Sequence, residues 1–442
     1  MNRRVLLAVV GLFAGLSLAS CGSSKKTGPP SNLPERVLAS EEVTSATTTG
    51  RLVIVDAYND TLTGVPPLAA GNSPGLMAIS PTRDIAMAFD ASSNSVYAVD
   101  TTKEDSLGHV QLPGPTSSMI IPTAGAVGYA AVPNASVSGY SFVGAVDVMN
   151  LAAGSITTTI AVTSAQTVVS NSTGTQLLVF SNDSDAVTVL FPAVASPPVD
   201  LSCLTNPPNA VCTIVQDPRF SRPVYAVISG NTAYVLNCGF ECGGSQQASV
   251  AVFDLNMLAI TSTIPVDAAT WAFLSGPTLY VAGTSPTNNT CTGQTWGNPP
   301  QPTAATHCGR LDTVDLNSVT VTNSYIISDG YHDRMDMSVN GQLFVGSYDC
   351  TNIGDINNPS GEVRGCLSIL NTTNGQIIVP PDNGNVDGLQ SFASRYVEYV
   401  AEGGNLRVYD TSFDVLLITD FIPLGTIDIV GYVGDVKAID FF

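Results

Sequence analysis

Eight times after residue 50 the chain repeats one short strand of alternating pattern, most copies stopping on Asp or Asn. The copies are LVIVD (52–56), VYAVD (96–100), AVDVMN (145–150), AVTVL (186–190), VAVFD (250–254), LDTVD (311–315), LSILN (367–371) and LRVYD (406–410). They start about 40 to 60 residues apart, the spacing of a four-stranded propeller blade rather than of a sandwich or a parallel α/β unit. The flanks repeat as well. A second strand with a Pro-containing end follows, as in ITSTIPVD (260–267), and short apolar strands come next, as in PGLMAISPTRD (74–84) and TLYVAGT (278–284). The chain therefore reads as an all-β, single β-propeller. Seven complete strand sets run from Pro74 to Pro423. RVLAS (36–40), LVIVD and the closing VKAIDFF (436–442) are left to share one more blade, which makes eight. Seven is the alternative if the terminal segments pack differently.

The stretches SVAVFDLNMLAITSTIPVD and PGLMAISP resemble the YVTN-type propeller repeats, which include lactonase-like propellers. The resemblance covers residues 36–442 and is loose from copy to copy. It implies the fold, and for function it implies either a binding protein or an enzyme. The Gly-His…Trp-Asp pair of WD repeats and the Ser-x-Asp-x-Gly-x-Thr-Trp sialidase box do not occur. Two tryptophans, Trp271 and Trp296, are too few for the docking motifs of quinoprotein propellers.

Residues 1–20 read as an export signal: Arg3-Arg4, an apolar run Val5 to Leu18, and small residues before Cys21. Leu18-Ala19-Ser20-Cys21 resembles the lipobox of bacterial lipoproteins, which implies a lipidated Cys21 after cleavage. Gly22 after the cysteine resembles the default outer-membrane sorting signal, so the expected location is the cell envelope, facing the periplasm or the cell surface. Residues 21–35 then form the lipidated cysteine and a flexible tether, and 36–442 the propeller. Sixteen Lys plus Arg against 36 Asp plus Glu give a net charge of −20. That balance, with no basic patch, argues against nucleic acid as a partner. The expected partners are the membrane, through the lipid, and a protein, glycan or small molecule. With 44% hydrophobic residues the chain is not a disordered one.

With Cys21 lipidated, eight cysteines remain, an even number suited to disulfides in an oxidising compartment. Sequential pairing is expected because each neighbouring pair brackets one loop: Cys203–Cys212, Cys238–Cys242, Cys291–Cys308 and Cys350–Cys366. The last three fall in long insertions between the second and third strands of a blade, and all of these insertions emerge on one face of the disc. The first lies on the opposite face.

Chemistry concentrates in one inner strand, which begins the sixth set. Where other inner strands are small and apolar, this one reads Asp329-Gly330-Tyr331-His332-Asp333-Arg334-Met335-Asp336-Met337. Asp329, His332, Asp333 and Arg334, with Asp387 from the next set, are expected near the channel mouth, partly open to water or a ligand. An ion-pair network in a wet channel is the plainer account of the same residues. Asn383-x-Asn385-x-Asp387-Gly388 has the spacing of a calcium loop without its final acidic residue, and an Asn/Gly turn accounts for it equally. Gly71-x-Ser73-x-Gly75 falls between strands, where no nucleophile elbow forms. His109 and His307 lack ligand spacing. The expected function is ligand or partner binding on the loop-bearing face, with no catalytic residue or cofactor assigned. The alternative is a lactonase-like hydrolase with an acidic site at the channel mouth, where a divalent cation would be the cofactor.

Overall fold

The Asp or Asn that ends a repeated strand closes the hairpin that follows it. Asp100 Oδ1 accepts the backbone N–H groups of Thr102 and Lys103 at 3.0 and 2.9 Å. Asp254 Oδ1 accepts those of Asn256 and Met257, both at 2.8 Å, and Asn371 Oδ1 those of Thr373 and Asn374 at 2.9 and 3.2 Å. Four positions after the Asp or Asn, the backbone turns left-handed: Asp60, Glu104, Gly154, Leu258, Val319 and Gly375 all have φ between 51° and 75°. The returning strand then carries a one-residue register shift, as between Val252 and Phe253 or Thr313 and Val314 in the pairing. This is an Asx-capped turn with a bulge, so the sequence repeat encodes a hairpin as well as a packing pattern.

The structure, a computed structural model, describes residues 31–43, 49–181, 183–192, 203, 211–287, 290, 295–296, 301–302, 308–351, 365–380, 384–411, 423–427, 429 and 431–441. Eight antiparallel sheets of four strands make eight blades. Blades one to seven each run from the channel outwards in chain order. Their inner strands are Pro74–Ile79, Ser118–Ile120, Ala165–Ser170, Pro223–Ser229, Trp271–Ser275, Tyr331–Met337 and Val386–Phe392. Blade eight joins the two ends of the chain as expected. Its inner strand is Tyr432–Ala438, followed outwards by Arg36–Glu42, Arg51–Asp56 and an outer strand in two pieces, Thr61–Leu62 and Leu68–Ala69. Arg36 reinforces the closure with a two-pronged contact to Asp440, at 2.9 and 2.7 Å.

The core is a ring of layers between blades, not one central mass. Met87 and Val96 of blade one pack with Met119, Val132 and Met149 of blade two, and Phe180 of blade three with Phe253 of blade four. Each large side chain buried this way contributes roughly 1.5–3 kcal/mol.

An innermost strand has no neighbour on the channel side, which leaves backbone N–H groups unpaired. Side chains from adjacent inner strands supply partners. Asp336 Oδ2 accepts the N–H of Ser391 at 2.6 Å, Gln390 Oε1 that of Ala438 at 3.0 Å, Asp435 Oδ2 that of Met77 at 2.8 Å, and Ser118 Oγ that of Val168 at 2.9 Å.

The pairs Cys203–Cys212, Cys238–Cys242 and Cys350–Cys366 are disulfides. Cys308 is buried and disulfide-bonded. Its expected partner, Cys291, lies outside the described residues, as do Cys21, His307 and Asn383.

Candidate functional site

Side chains of a flat inner strand lean alternately towards the two neighbouring blades, while the strand itself borders the channel. A bulge breaks that alternation. In blade six the pairing shifts between His332 and Arg334, so Asp333 is the extra residue. Comparable shifts occur at Ala165/Thr167 in blade three, Pro223/Tyr225 in blade four and Val386/Gly388 in blade seven. The bulged residues are Gln166, Val224, Asp333 and Asp387, and the first three line the channel.

His332 precedes the bulge and stays in the alternation, which corrects its expected place at the channel mouth. Its side chain is fully buried towards blade five. Its Nε2–H donates to the Ser328 carbonyl at 3.1 Å, and its own carbonyl accepts from Thr270 Oγ1 at 2.8 Å. Burial pushes the imidazole down to about 4, so it is neutral near pH 7. Asp329 is also buried rather than open at the rim. It caps the following loop by accepting the Thr351 N–H at 2.7 Å, ahead of the strand itself.

Asp333, Arg334 and Asp387 do come together. Arg334 Nη1 donates to Asp333 Oδ2 at 2.9 Å and Nε to the Asp387 carbonyl at 2.9 Å. Asp387 Oδ2 accepts the Tyr432 hydroxyl at 2.6 Å. Burial pushes the Asp387 carboxyl up to about 6, although the Tyr432 hydroxyl and Arg334 oppose the shift. The Asp333 carboxyl also moves up, because burial outweighs the attraction of Arg334. Asn385 Oδ1 accepts the Asp349 N–H at 3.0 Å. Among the described residues no three His, Cys, Asp or Glu side chains gather as a metal site. Asn72 and Ser73 donate their N–H groups to Asp90 Oδ1 at 3.2 and 2.7 Å, and a strand, not a helix, follows.

The central channel is a cavity of about 900 Å³. Leu76, Ile79, Ile120, Val168 and Val227 give it one apolar side, while Asp333, Arg334, Asp435 and Lys437 give it a charged one. Tyr225 stacks on Trp271 with ring centroids 3.8 Å apart. Towards the loop-bearing face a second cavity of about 350 Å³ adds Glu241, Cys242, Arg222 and Asp183. Tyr331 and Tyr348, with ring centroids 5.2 Å apart, line both. Glu241 sits on the short turn Gly239–Cys242 that the Cys238–Cys242 disulfide brackets. Burial pushes its carboxyl up to about 8, against one bond from the Thr284 N–H. Sequence reasoning passed over Glu241, Tyr225, Trp271, Asp435 and Lys437. The usable signal was position: Tyr225, Trp271, Asp435 and Lys437 all stand on inner strands, the strands that border the channel.

No protein-family model matches the chain, and no curated protein matches it. Solved structures do. The dihydro-heme d1 dehydrogenase NirN, in complex with DHE, is similar with a TM-score of 0.60 and 11% identity, over 96% of this chain and 78% of that one. The periplasmic gluconolactonase PpgL of Pseudomonas aeruginosa gives a TM-score of 0.48 and 15% identity, over 92% and 99%. The hydrazine synthase of Kuenenia stuttgartiensis gives 0.44 and 13%, over 80% and 86%. At 11% identity the likeness to the first of these is one of fold.

Proposed function

We propose that the protein is an envelope binding protein, anchored through a lipid on Cys21, that holds a small organic ligand at the loop-bearing end of its channel. One observation carries this reading: a cavity of about 900 Å³, apolar on one side, meets a charged strip and two aromatic pairs at its mouth. Concave, mostly apolar space with a few convergent polar groups is the ordinary form of a ligand site. Asp333 serves no packing need there, since the equivalent bulge positions of blades three and four carry Gln166 and Val224, and Thr167 and Tyr225 stand in the place of Arg334. A thermal-shift screen of small organic compounds tests the reading. Hits should lose their effect in Tyr331→Ala and Tyr348→Ala variants that melt as the wild type does, and hits unaffected by both substitutions would contradict it. For the anchor, Cys21→Ala should move the protein out of the membrane fraction or leave it as an uncleaved precursor.

A further inference from the structure

We infer that the ligand taken at this mouth is an organic cation, an amine or guanidinium on an apolar body. The inference rests on the channel reading above and adds the sign and donor chemistry of the ligand.

The two cavities share Gln166, Thr167, Val224, Tyr331 and Tyr348, so one elongated molecule fits from the mouth into the channel. Glu241 and Asp333 line that path, and one carboxyl oxygen of each, Oε2 and Oδ1, is enclosed and has no hydrogen-bond partner among the described residues. Their sister oxygens are used: Glu241 Oε1 accepts the Thr284 N–H at 2.9 Å, and Asp333 Oδ2 accepts from Arg334 at 2.9 Å. Burial alone favours the protonated form of both carboxyls; a donor bearing positive charge offsets that burial and gives each free oxygen, once ionised, the hydrogen bond it lacks.

The charges already present point the same way. Along the two cavities Asp183, Glu241, Asp333 and Asp435 outnumber Arg222, Arg334 and Lys437. Arg334 lies 2.9 Å from Asp333, and Lys437 lies 2.7 Å from Asp435. Arg334 and Lys437 are thus engaged, so an anionic ligand in the channel would have to break an existing pair. Arg222 in the outer cavity lies 3.6 Å from Asp183 and keeps its Nε without a partner among the described residues, which is where an anion would go instead. Tyr331, Tyr348, Tyr225 and Trp271 add ring faces of the kind that attract cationic nitrogen. The net charge of −20 raises the concentration of cations near the surface.

Titration of the protein with phenethylamine, phenylacetate and 2-phenylethanol tests this, read by Trp271 emission in a Trp296→Phe background. The three probes share a ring and differ in charge. Phenethylamine should bind at least tenfold more tightly than either of the others, a comparison that needs no site variant to fold. Asp333→Asn should then weaken the amine about tenfold and leave 2-phenylethanol unchanged. Phenylacetate or the alcohol binding as tightly as the amine would overturn the cation inference and leave the channel reading standing. If no probe altered Trp271 emission, both would fall.

Discussion

Asp435 and Met77 stand 358 positions apart in the chain, and Asp435 Oδ2 accepts the Met77 N–H at 2.8 Å. The same carboxylate bonds the Val436 N–H at 2.8 Å and the Lys437 ammonium at 2.7 Å, fastening the last inner strand to the first complete blade. The contact sits where the ring must close and where the inner strand is otherwise an open edge.

Asp435→Ala should therefore cost more than an ordinary surface change. It leaves two buried N–H groups without an acceptor and Lys437 without its partner, a loss of about 2–4 kcal/mol. Equilibrium unfolding in urea measures it. A loss below about 0.5 kcal/mol would mean that the closing blade is held by its apolar layers alone.

His332 makes stability acid-sensitive. Its imidazole, ordinarily near 6.5, is held at about 4 in the folded protein by burial. Between those values the unfolded chain takes up a proton that the folded one refuses, so this contribution is full above pH 6.5 and is lost as pH falls towards 4. The span corresponds to on the order of 3 kcal/mol. His332→Gln should be less stable than the wild type at pH 8, by about 1–2 kcal/mol for the disturbed buried contacts, and the order should reverse between about pH 6 and 5, leaving the variant the more stable by about 1–2 kcal/mol at pH 4. A gap constant with pH would contradict the assignment.

Val319 occupies a left-handed turn position, φ 58°, that Gly154 and Gly375 fill in other blades. A β-branched side chain is disfavoured there by about 1–2 kcal/mol, and Val319 is exposed, so it gives little packing in return. After the entropy that glycine adds to the unfolded chain, Val319→Gly should raise stability by about 0.5–1 kcal/mol in urea unfolding. A loss would show that the side chain packs more than its exposure implies.

The Cys350–Cys366 bridge spans 16 positions. In the chain-entropy model a loop of about that length is worth about 3 kcal/mol. Replacing both cysteines with Ser should lower the melting temperature and keep a cooperative transition, since the ring closes elsewhere. Loss of cooperative melting would make the bridge a condition of folding.

The blades were legible in the sequence because their signal is local. An Asp or Asn, the turn it caps and the alternating strand before it all lie within about ten residues, and eight copies make the period plain. Loop-by-loop disulfides were legible for the same reason. The charged strand of blade six stood out by composition, and Asp333, Arg334 and Asp387 do meet. His332 went astray because a bulge one residue later decides which way it points, and nothing in the residue types Tyr-His-Asp-Arg marks that shift. Glu241 and Asp435 stayed hidden because the Thr284 and Met77 N–H groups they accept lie on other blades, at sequence distances that no local pattern spans; Lys437 pairs with Asp435 two positions away, and nothing in that short pattern shows that the pair borders the channel.

Hydrogen exchange with a bound screening hit tests the central claim most directly. The account predicts slowed exchange in the inner strands Pro223–Ser229 and Tyr331–Met337 and around Tyr348, with the outer strands unchanged. Protection confined to outer strands, or to the face that carries the Cys203–Cys212 loop, would contradict it.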